Sequence, residues 1–318
     1  PNPNNVTYQE MLNSISEVQQ NVSNVNNMVT NYTSKPSGYF PIAMTEFNSK
    51  TGEREISMAN AIFISQVLCE QIKNNIGMSL LWSFQNGLDS HGGDHGMTAR
   101  NSTIVQNNTP RPVYYAYYYI SKFLGDKLVF SYSNDPDINC YVSTFSSGEI
   151  GMVVINTSQV NKTIEFSSTS SFTKDNFYWY EINAIDETDK KIYVNELTTA
   201  NQEGGPDFNN VPAFYRPVNG NYKFIIKPYS VNFIANSNDL TSTDNTRNLE
   251  IEVYPNPFNE FININQHYDY LKLFDISGNL VLKSKDKNLN TSLLKEGIYI
   301  LKLYKSNFSS EVKVIKIK

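Results

Sequence analysis

Residues 40–48 read FPIAMTEFN, and one helical segment later residues 78–84 read MSLLWSF. Each is a short apolar run of the kind that forms a buried strand. The first run delivers Glu46 near its carboxyl end, and the second ends in two aromatic residues, Trp82 and Phe84. A (β/α)₈ barrel presents its functional side chains at the carboxyl ends of its strands. The two runs therefore predict a carboxylate and an aromatic platform at neighbouring strand ends of such a barrel.

The segments around these runs have helical patterns. Residues 7–10, TYQE, form a capping box, in which the Thr hydroxyl and the Glu carboxylate satisfy each other's exposed backbone amides. Apolar residues then recur at helical spacing. Ser57 is placed to cap a second helix between the two runs. The inner face of this helix is predicted to carry Met58, Ile62, Ser65, Cys69 and Ile72.

A third helix follows a long loop rich in Gly, His and Asp. Thr109 and Pro110 are predicted to open it as N-cap and first-turn proline, and Gly125 is placed to end it. The order α, β, α, β, α predicts parallel strands covered by helices. A closed barrel needs eight strands and only two are found here, so residues 1–125 are expected to form the C-terminal portion of a (β/α)₈ barrel.

The predicted secondary structure changes from alternating helices and strands to strands alone after residue 125. Short β-type runs separated by turn residues fill residues 126–237 and predict an antiparallel β-sandwich. Residues 238–248 are rich in Asn, Ser, Asp and Thr and are predicted to be a linker. Residues 249–318 are predicted to form a small, separate all-β module. The chain is thus expected to be multidomain.

Composition narrows the classes of function. The 318 residues carry a net charge of −5, and the 26 basic residues are scattered, which argues against a nucleic-acid binder. No apolar stretch reaches the ~20 residues of a transmembrane helix. Cys69 and Cys140 fall in different predicted domains, and whether they pair is left open. Because the sequence begins at Pro1 with no signal peptide, it is expected to be a fragment or a processed form.

Three motifs in the first half carry a resemblance. At residues 44–48 (MTEFN), 80–84 (LLWSF) and 109–116 (TPRPVYYA), together with 123–126 (FLGD), the chain resembles clan A glycoside hydrolases. It is most similar to the α-L-arabinofuranosidase-like and cellulase-like members, which have a β-sandwich after the barrel. The resemblance covers about residues 1–237.

This resemblance implies roles for two residues. In that clan the nucleophile glutamate ends the seventh strand and a tryptophan ends the eighth, so Glu46 is expected to be the nucleophile and Trp82 to stack on the sugar. Retaining enzymes need a second carboxyl group about 5–5.5 Å away. The clan carries this acid/base at the end of the fourth strand, which is missing here, so the chain alone is expected to be inactive. Glu46 as an ordinary strand-end glutamate, and Trp82 as a core aromatic, are the alternatives.

Other residues near the predicted cleft are candidates for substrate binding. Asn48 and Phe84 follow the two strands, and His91 and His95 lie in the loop at residues 86–96, NGLDSHGGDHG. These side chains are predicted to contact the sugar. The loop could instead bind a metal, since His and Asp are ordinary ligands, or be a solvated surface loop. No cofactor and no metal are predicted.

Two aromatic clusters have the appearance of binding strips. Residues 114–119 hold five tyrosines at helical spacing, and residues 177–180 read FYWY along a predicted strand. Packing between barrel and sandwich is the favoured interpretation of the first cluster. Alternation along a strand points half of the second cluster inward, so core is favoured there as well.

The C-terminal module carries the more specific motifs. Residues 253–258 (VYPNPF), 271–278 (LKLFDISG) and 294–301 (LKEGIYIL) are similar to the C-terminal sorting domain of the type IX (Por) secretion system of Bacteroidetes. An ordinary fibronectin-like module is the alternative. The resemblance implies that residues 249–318 engage the type IX secretion machinery and that the protein is secreted or attached to the bacterial cell surface.

Together, the two resemblances imply a secreted retaining glycoside hydrolase that acts on a plant or algal polysaccharide or oligosaccharide. The alternative from another class is a non-catalytic surface protein that binds carbohydrate or mediates adhesion. The sugar, its linkage, and endo or exo action are not determined by the sequence.

Overall fold

A computed structural model describes residues 2–167, 174–218, 220, 222–238, 253–264, 268–305 and 308–317. The chain forms two compact units, Pro1–Asp239 and Leu240–Lys318. The predicted linker lies outside the described residues from position 239 onward. The predicted boundary between barrel and sandwich at residue 125 stays a prediction, because both segments belong to the first unit. Within the described ranges, no helix is long and apolar enough to cross a membrane.

The described residues of the first unit contain four α-helices. They are α1 (Tyr8–Asn13), α2 (Glu17–Tyr32), α3 (Met58–Lys73) and α4 (Pro112–Phe123). The predicted capping box begins α1: Thr7 Oγ1 accepts from the Glu10 backbone N–H at 3.2 Å, and the Glu10 carboxylate accepts from the Thr7 N–H at 2.8 Å. The first predicted helix is therefore confirmed at its start, and a short 3₁₀ turn separates α1 from α2.

Two parallel strands, β1 (Ile42–Phe47) and β2 (Ile76–Leu81), form a sheet of their own. One face is apolar and packs on a cluster that includes Ala59, Phe63 and Ile64 of α3. The opposite face is open, and Met78 and Leu80 are about half exposed there. Because parallel strands are almost always covered on both faces, this open apolar face is unusual.

Helix α3 is buried around nearly its whole circumference. As predicted, Ser57 caps it, with its hydroxyl accepting from the Ala59 N–H at 3.2 Å. A helix that is covered on nearly every face lies in the core of its domain. One detail of the predicted inner face is wrong, since Ile72 in the last turn is 40% exposed. The other four predicted positions, Met58, Ile62, Ser65 and Cys69, are buried.

Helix α4 begins two residues later than predicted, with Pro112 rather than Pro110 in its first turn. Pro110 instead pairs with Thr98, and the Ala99 N–H donates to the Thr109 carbonyl at 2.9 Å. These backbone bonds hold the 109–110 segment against the preceding loop, so the second proline of the pair starts the helix.

The strands after residue 125 follow the predicted runs, with two short strands in addition. They are β3 (Lys127–Val129), β4 (Ile138–Thr144), β5 (Ile150–Asn156), β6 (Lys162–Glu165), β7 (Asn176–Asn183), β8 (Tyr193–Val194), β9 (Phe214–Pro217), β10 (Lys223–Ile226) and β11 (Ser230–Ser237). The large antiparallel sheet has the order β3-β4-β5-β11-β7-β8, with β9 beside β7, while β6 and β10 form a second sheet.

The large sheet is covered on both faces. On one face, Tyr119 of α4 stacks on Tyr180 and Phe233, with ring centroids 4.6 and 5.3 Å apart. On the other face, Phe177 and Ile234 share a core with Phe224 of the small sheet. Both aromatic clusters of the sequence therefore contribute to packing, as favoured. Cys69 and Cys140 are free thiols, and burial raises the pKa of both.

The second unit is all β. Its strands are β12 (Val253–Tyr254), β13 (Phe261–Ile264), β14 (Tyr270–Asp275), β15 (Leu280–Ser284), β16 (Asn288–Asn290), β17 (Gly297–Lys305) and β18 (Phe308–Lys316). They form sheets of order β12-β13-β16 and β15-β14-β17-β18 around a core that includes Phe258, Leu271 and Leu301. The hairpin between β14 and β15 turns at Gly278, whose φ of +83° favours glycine.

Candidate functional site

The carboxyl ends of β1 and β2 meet at one edge of the parallel pair. The Trp82 N–H donates to the Phe47 carbonyl at 3.0 Å, just beyond the last strand pair. The Glu46 side chain is exposed at this edge. The Trp82 side chain is 51% exposed, and the Trp82–Ser83 peptide bond is cis. The structure thus brings a solvent-facing carboxylate and a half-exposed indole to the same strand ends.

Asn48 ties these strand ends to the following loop. Its Nδ2 donates to the Trp82 carbonyl at 2.6 Å and to the His95 carbonyl at 3.0 Å. Its Oδ1 accepts from the Ser49 N–H at 2.8 Å and from Asn60 Nδ2 at 3.3 Å. An asparagine amide has two hydrogens to donate and one oxygen with two lone pairs. All of them are therefore engaged within the chain.

A buried polar network lies behind Asn48. Ser49 Oγ donates to Asn60 Oδ1 at 2.8 Å, and Asn60 Nδ2 also donates to the Glu55 carbonyl at 2.9 Å. The Thr51 N–H donates to Glu55 Oε1 at 3.0 Å. The four side chains, Ser49, Thr51, Glu55 and Asn60, are between 1% and 5% exposed. Buried polar groups paired in this way hold one arrangement, because breaking it leaves unsatisfied donors and acceptors.

His95 joins the network from the loop side. Its Nε2 lies 3.4 Å from Glu55 Oε2, and the bond to this carboxylate raises the pKa of His95, while burial opposes the shift. The His95 carbonyl also accepts from the Ser83 N–H at 2.8 Å. The His95 ring therefore points at Glu55, while its backbone supports the strand ends.

His91 and Phe84 occupy the same loop region in different ways. His91 is half-buried, its N–H donates to Asp89 Oδ1 at 2.7 Å, and its carbonyl accepts from Asn4 Nδ2 at 3.2 Å. Phe84 is 64% exposed, and its carbonyl accepts from the Thr98 N–H at 3.1 Å. These contacts are made by the backbone of both residues.

The loop is anchored by a buried ion cluster that the sequence analysis missed. Arg111, just before α4, contacts Asp94 Oδ2 at 2.8 Å and Glu203 Oε2 at 3.3 Å. All three side chains are at most 8% exposed. The other Asp94 oxygen accepts from the Gly96 N–H at 2.7 Å. The loop is thus bound to the sandwich segment that carries Glu203, which differs from a freely solvated glycine-rich loop.

The residues that support Asn48 and Arg111 are hard to predict from the sequence. Asn60 and Glu203 lie in segments far from the strand ends, and nothing local marks them as partners of Asn48 or Arg111. One usable signal exists: Asn60 is a polar residue in a helix that is otherwise mostly apolar on every face. Among the described residues, no group of three or more His, Cys, Asp or Glu side chains is placed to hold a metal ion.

Comparison with known families assigns the C-terminal residues. Residues 252–318 match the family described as "Secretion system C-terminal sorting domain". This domain directs type IX secretion, so the protein is exported to the cell surface or secreted. A comparison of the sequence with curated proteins gave no match.

Comparison with solved structures relates the fold to glycoside hydrolases. A GH51 α-L-arabinofuranosidase from Thermotoga petrophila RKU-1 matches with a TM-score of 0.51 and 16% identity over 72% of this chain and 50% of that chain. A GH44 endoglucanase from Clostridium acetobutylium matches with a TM-score of 0.46 and 13% identity, over 69% and 35% of the two chains. This chain spans half or less of the length of these structures. The first likeness shows a shared fold.

Proposed function

We propose that this chain is part of a secreted retaining glycoside hydrolase that acts on a plant or algal polysaccharide. One observation carries the proposal: Glu46 and Trp82 lie at the same carboxyl edge of a parallel strand pair, joined by the bond between the Trp82 N–H and the Phe47 carbonyl. Catalytic groups of (β/α)₈ barrels occupy this position. The open apolar face behind them, with Met78 and Leu80, supports assigning the pair to such a barrel.

In this proposal Glu46 is the nucleophile. Its carboxylate is exposed at the end of β1, where it can reach an anomeric carbon in solution. Attack forms a bond between the Glu46 oxygen and that carbon while the bond to the leaving oxygen breaks, and water later releases the sugar. A second carboxyl group must protonate the leaving oxygen. We therefore assign turnover to a longer parent enzyme and only the nucleophile to the residues described.

Trp82 is proposed to hold the sugar. An aromatic face offers apolar contact area, while the N–H of the indole remains able to hydrogen-bond. Phe84, His91 and His95 are proposed to line the same cleft, with Phe84 the most exposed of them. No cofactor is part of this mechanism.

The nucleophile assignment is tested by Glu46→Gln in the parent enzyme. Because the amide keeps the shape and removes the negative charge, we expect sugar binding to persist and turnover to fall by at least about a thousandfold. Glu165→Gln is a matched control, since Glu165 is also an exposed strand glutamate but lies on the sandwich. Wild-type turnover in the Glu46→Gln enzyme would disprove the assignment.

The alternative is a non-catalytic surface protein that binds carbohydrate. The half-exposed Trp82 indole favours binding whether or not Glu46 reacts. If the parent binds soluble polysaccharide through Trp82 but neither it nor Glu46→Gln releases reducing sugar, the binding protein is the correct assignment.

The sorting domain gives a test of export that is independent of the cleft. Deleting residues 249–318 should leave hydrolysis by the purified parent nearly unchanged and retain the protein inside the cell envelope, because the tail forms a compact unit of its own. Leu301→Asp, in the buried core of the tail, should have the same effect on export, whereas Leu293→Ser, at a 97% exposed position, should not. Full secretion of the truncated chain would contradict the role of the tail.

A further inference from the structure

Two backbone hydrogen bonds hold Trp82 at the strand end. Its N–H bonds to Phe47, and its carbonyl accepts from Asn48. In the part of the chain that the structure describes, no other aromatic ring lies against the Trp82 indole, and half of the side chain is exposed. The direction in which the indole leaves the strand end therefore depends on how the Trp82–Ser83 peptide is oriented.

The Asn48 amide holds the Trp82 carbonyl and so orients the Trp82–Ser83 peptide. The hydrogen-bond partners of Asn48 in turn fix which side of its amide carries the oxygen. Both the Ser49 N–H and Asn60 Nδ2 are donors, and both face the same side of the amide. Only oxygen can accept from two donors, so the amide nitrogen must face the carbonyls of Trp82 and His95. Turning the amide over would set nitrogen against two donors and oxygen against two carbonyls.

Asn60 in turn is oriented by partners of opposite kinds. Ser49 Oγ has a hydrogen to give to Asn60 Oδ1, and the Glu55 carbonyl can only accept from Asn60 Nδ2. Asn60 is 1% exposed in the first turn of α3, the most deeply buried helix of the unit. Helix α3 thus fixes the position of Asn60. Hydrogen bonds then connect Asn60 to Asn48 and Asn48 to the Trp82 carbonyl.

We propose that Asn60 is a positioning residue for the Trp82 platform, and that Asn48 transmits its effect instead of binding the sugar. The naming of Trp82 as a sugar platform rests on the function proposed above, whereas the control of its orientation by Asn60 does not. Loss of the Asn60 amide leaves Asn48 Oδ1 with one donor, the Ser49 N–H, and so weakens the hold on the Asn48 side chain. The partner of the Trp82 carbonyl is then less firmly fixed.

The chain offers a direct optical readout. It contains two tryptophans, Trp82 and Trp179. Trp179 packs against Phe214 and Phe224, with ring centroids 5.4 and 5.5 Å away, so Trp179→Phe keeps an aromatic ring in that position. In the Trp179→Phe background, the emission maximum, anisotropy and acrylamide quenching all report on Trp82 alone, with no need for enzymatic activity.

In this background we expect Asn60→Ala to lower the anisotropy of Trp82 and raise its quenching constant, measured well below the unfolding transition. Binding of soluble xyloglucan or arabinoxylan by the same variant should weaken about fivefold, the effect of one lost buried hydrogen bond. Ser65→Ala is the matched control, because Ser65 is also fully buried on α3 but bonds only to the Ala61 carbonyl of its own helix, at 2.6 Å.

A milder variant covers the case in which Asn60→Ala fails to fold. Ser49→Ala removes the hydroxyl that orients Asn60 and should shift the same Trp82 signals in the same direction by a smaller amount. Unchanged Trp82 signals in folded Asn60→Ala, or in Ser49→Ala if only that variant folds, would overturn the proposal. An equal change in Ser65→Ala would also overturn it, since general loosening of α3 would then be the cause.

The sugar-binding measurement tests the role of Trp82 as a platform separately from the positioning role of Asn60. If the Trp179→Phe chain binds neither xyloglucan nor arabinoxylan while its Trp82 still responds to Asn60→Ala, binding of these two polysaccharides by Trp82 is ruled out and the positioning role of Asn60 stands. If sugar binds equally well to parent and variant while the Trp82 signals change, Trp82 is not the platform, and the positioning role again survives.

Discussion

The parallel pair β1–β2 and the antiparallel sheet around β11 are held in different ways. β11 pairs without interruption along eight residues of β7 and seven of β5, and its side chains are buried almost throughout. The β1–β2 pairing is broken by register shifts, and one of its faces is open. The sheet is made rigid by its hydrogen-bond ladder and apolar packing. The strand ends of the pair depend on buried side-chain polar contacts instead.

This difference implies that the two regions respond to different substitutions. Apolar truncation should damage the sheet, and removal of a charged or amide group should damage the strand-end region.

The largest effect is expected for Arg111→Met, which leaves the buried carboxylates of Asp94 and Glu203 without their partner. Breaking a buried pair by removing one member costs about 3–5 kcal/mol of unfolding free energy. Lys73→Met is the control, since the Lys73 side chain is 59% exposed and its pair with Glu70 should be worth at most about 1 kcal/mol. Urea denaturation measures both. A loss for Arg111→Met no larger than for Lys73→Met would mean that apolar packing alone holds the loop.

In the sheet, Phe233→Ala should cost about 3–4 kcal/mol of unfolding free energy, because it opens a cavity between β11 and the rings of Tyr119 and Phe123. Ile225→Ala is the matched truncation at a position that is 69% exposed, and it should change stability by less than about 0.5 kcal/mol. The same denaturation experiment applies. Similar losses for both variants would contradict the role of the buried ring.

Trp82→Ala should weaken sugar binding by about tenfold, or roughly 1.4 kcal/mol, by removing an aromatic contact. Stability should hardly change, because the indole is already half exposed. Tyr215→Ala is a suitable control, since Tyr215 is 54% exposed on the sandwich, whereas Tyr180 is buried at 2% and would perturb the core. Calorimetry decides the matter: equal losses of affinity in the two variants would remove Trp82 from the site.

The smallest effect concerns pH. Glu55 raises the pKa of His95 in the folded chain above its ordinary value of 6.5. The stabilisation is therefore fully present below 6.5 and is lost as pH rises through the raised pKa of the folded state. We expect Tm to fall by about one or two degrees across this range. His95→Gln should flatten the dependence and His91→Gln should leave it intact, and a profile unchanged by His95→Gln would contradict the pairing with Glu55.

Much of the local structure is readable from the residues. The capping box at residues 7–10, the Ser57 cap and the runs that became sandwich strands all follow from contacts between neighbours in sequence. Two errors arose where distant segments compete with local signals. Pro110 has the features of a helix start, but backbone bonds to Thr98 and Ala99 engage that segment first. Ile72 fits the apolar period, yet 40% of it stays exposed in the last turn of α3.

In the candidate site, too, some residues can be predicted from the sequence and others cannot. Glu46 and Trp82 stand out because strand-end carboxylates and aromatics are recognisable from sequence period and position. The partners of Asn48 and Arg111 do not, because hydrogen-bond satisfaction depends on which chain segments become neighbours. Asn48 itself was predicted to bind substrate, and that role stays untested, but only the fold reveals that its amide is already fully bonded.

The sequence by itself determined the strand and helix periods, the polar linker composition, the strand-end Glu46 and Trp82, and the sorting motifs of the tail. These properties depend on residues within a few positions of one another. Only contacts between separate segments bury α3 around nearly its whole circumference, tie the 86–96 loop to Glu203, and place Asn60 against the Asn48 side chain. These contacts join residues between 12 and 92 positions apart, and burial strengthens them only once the segments have come together.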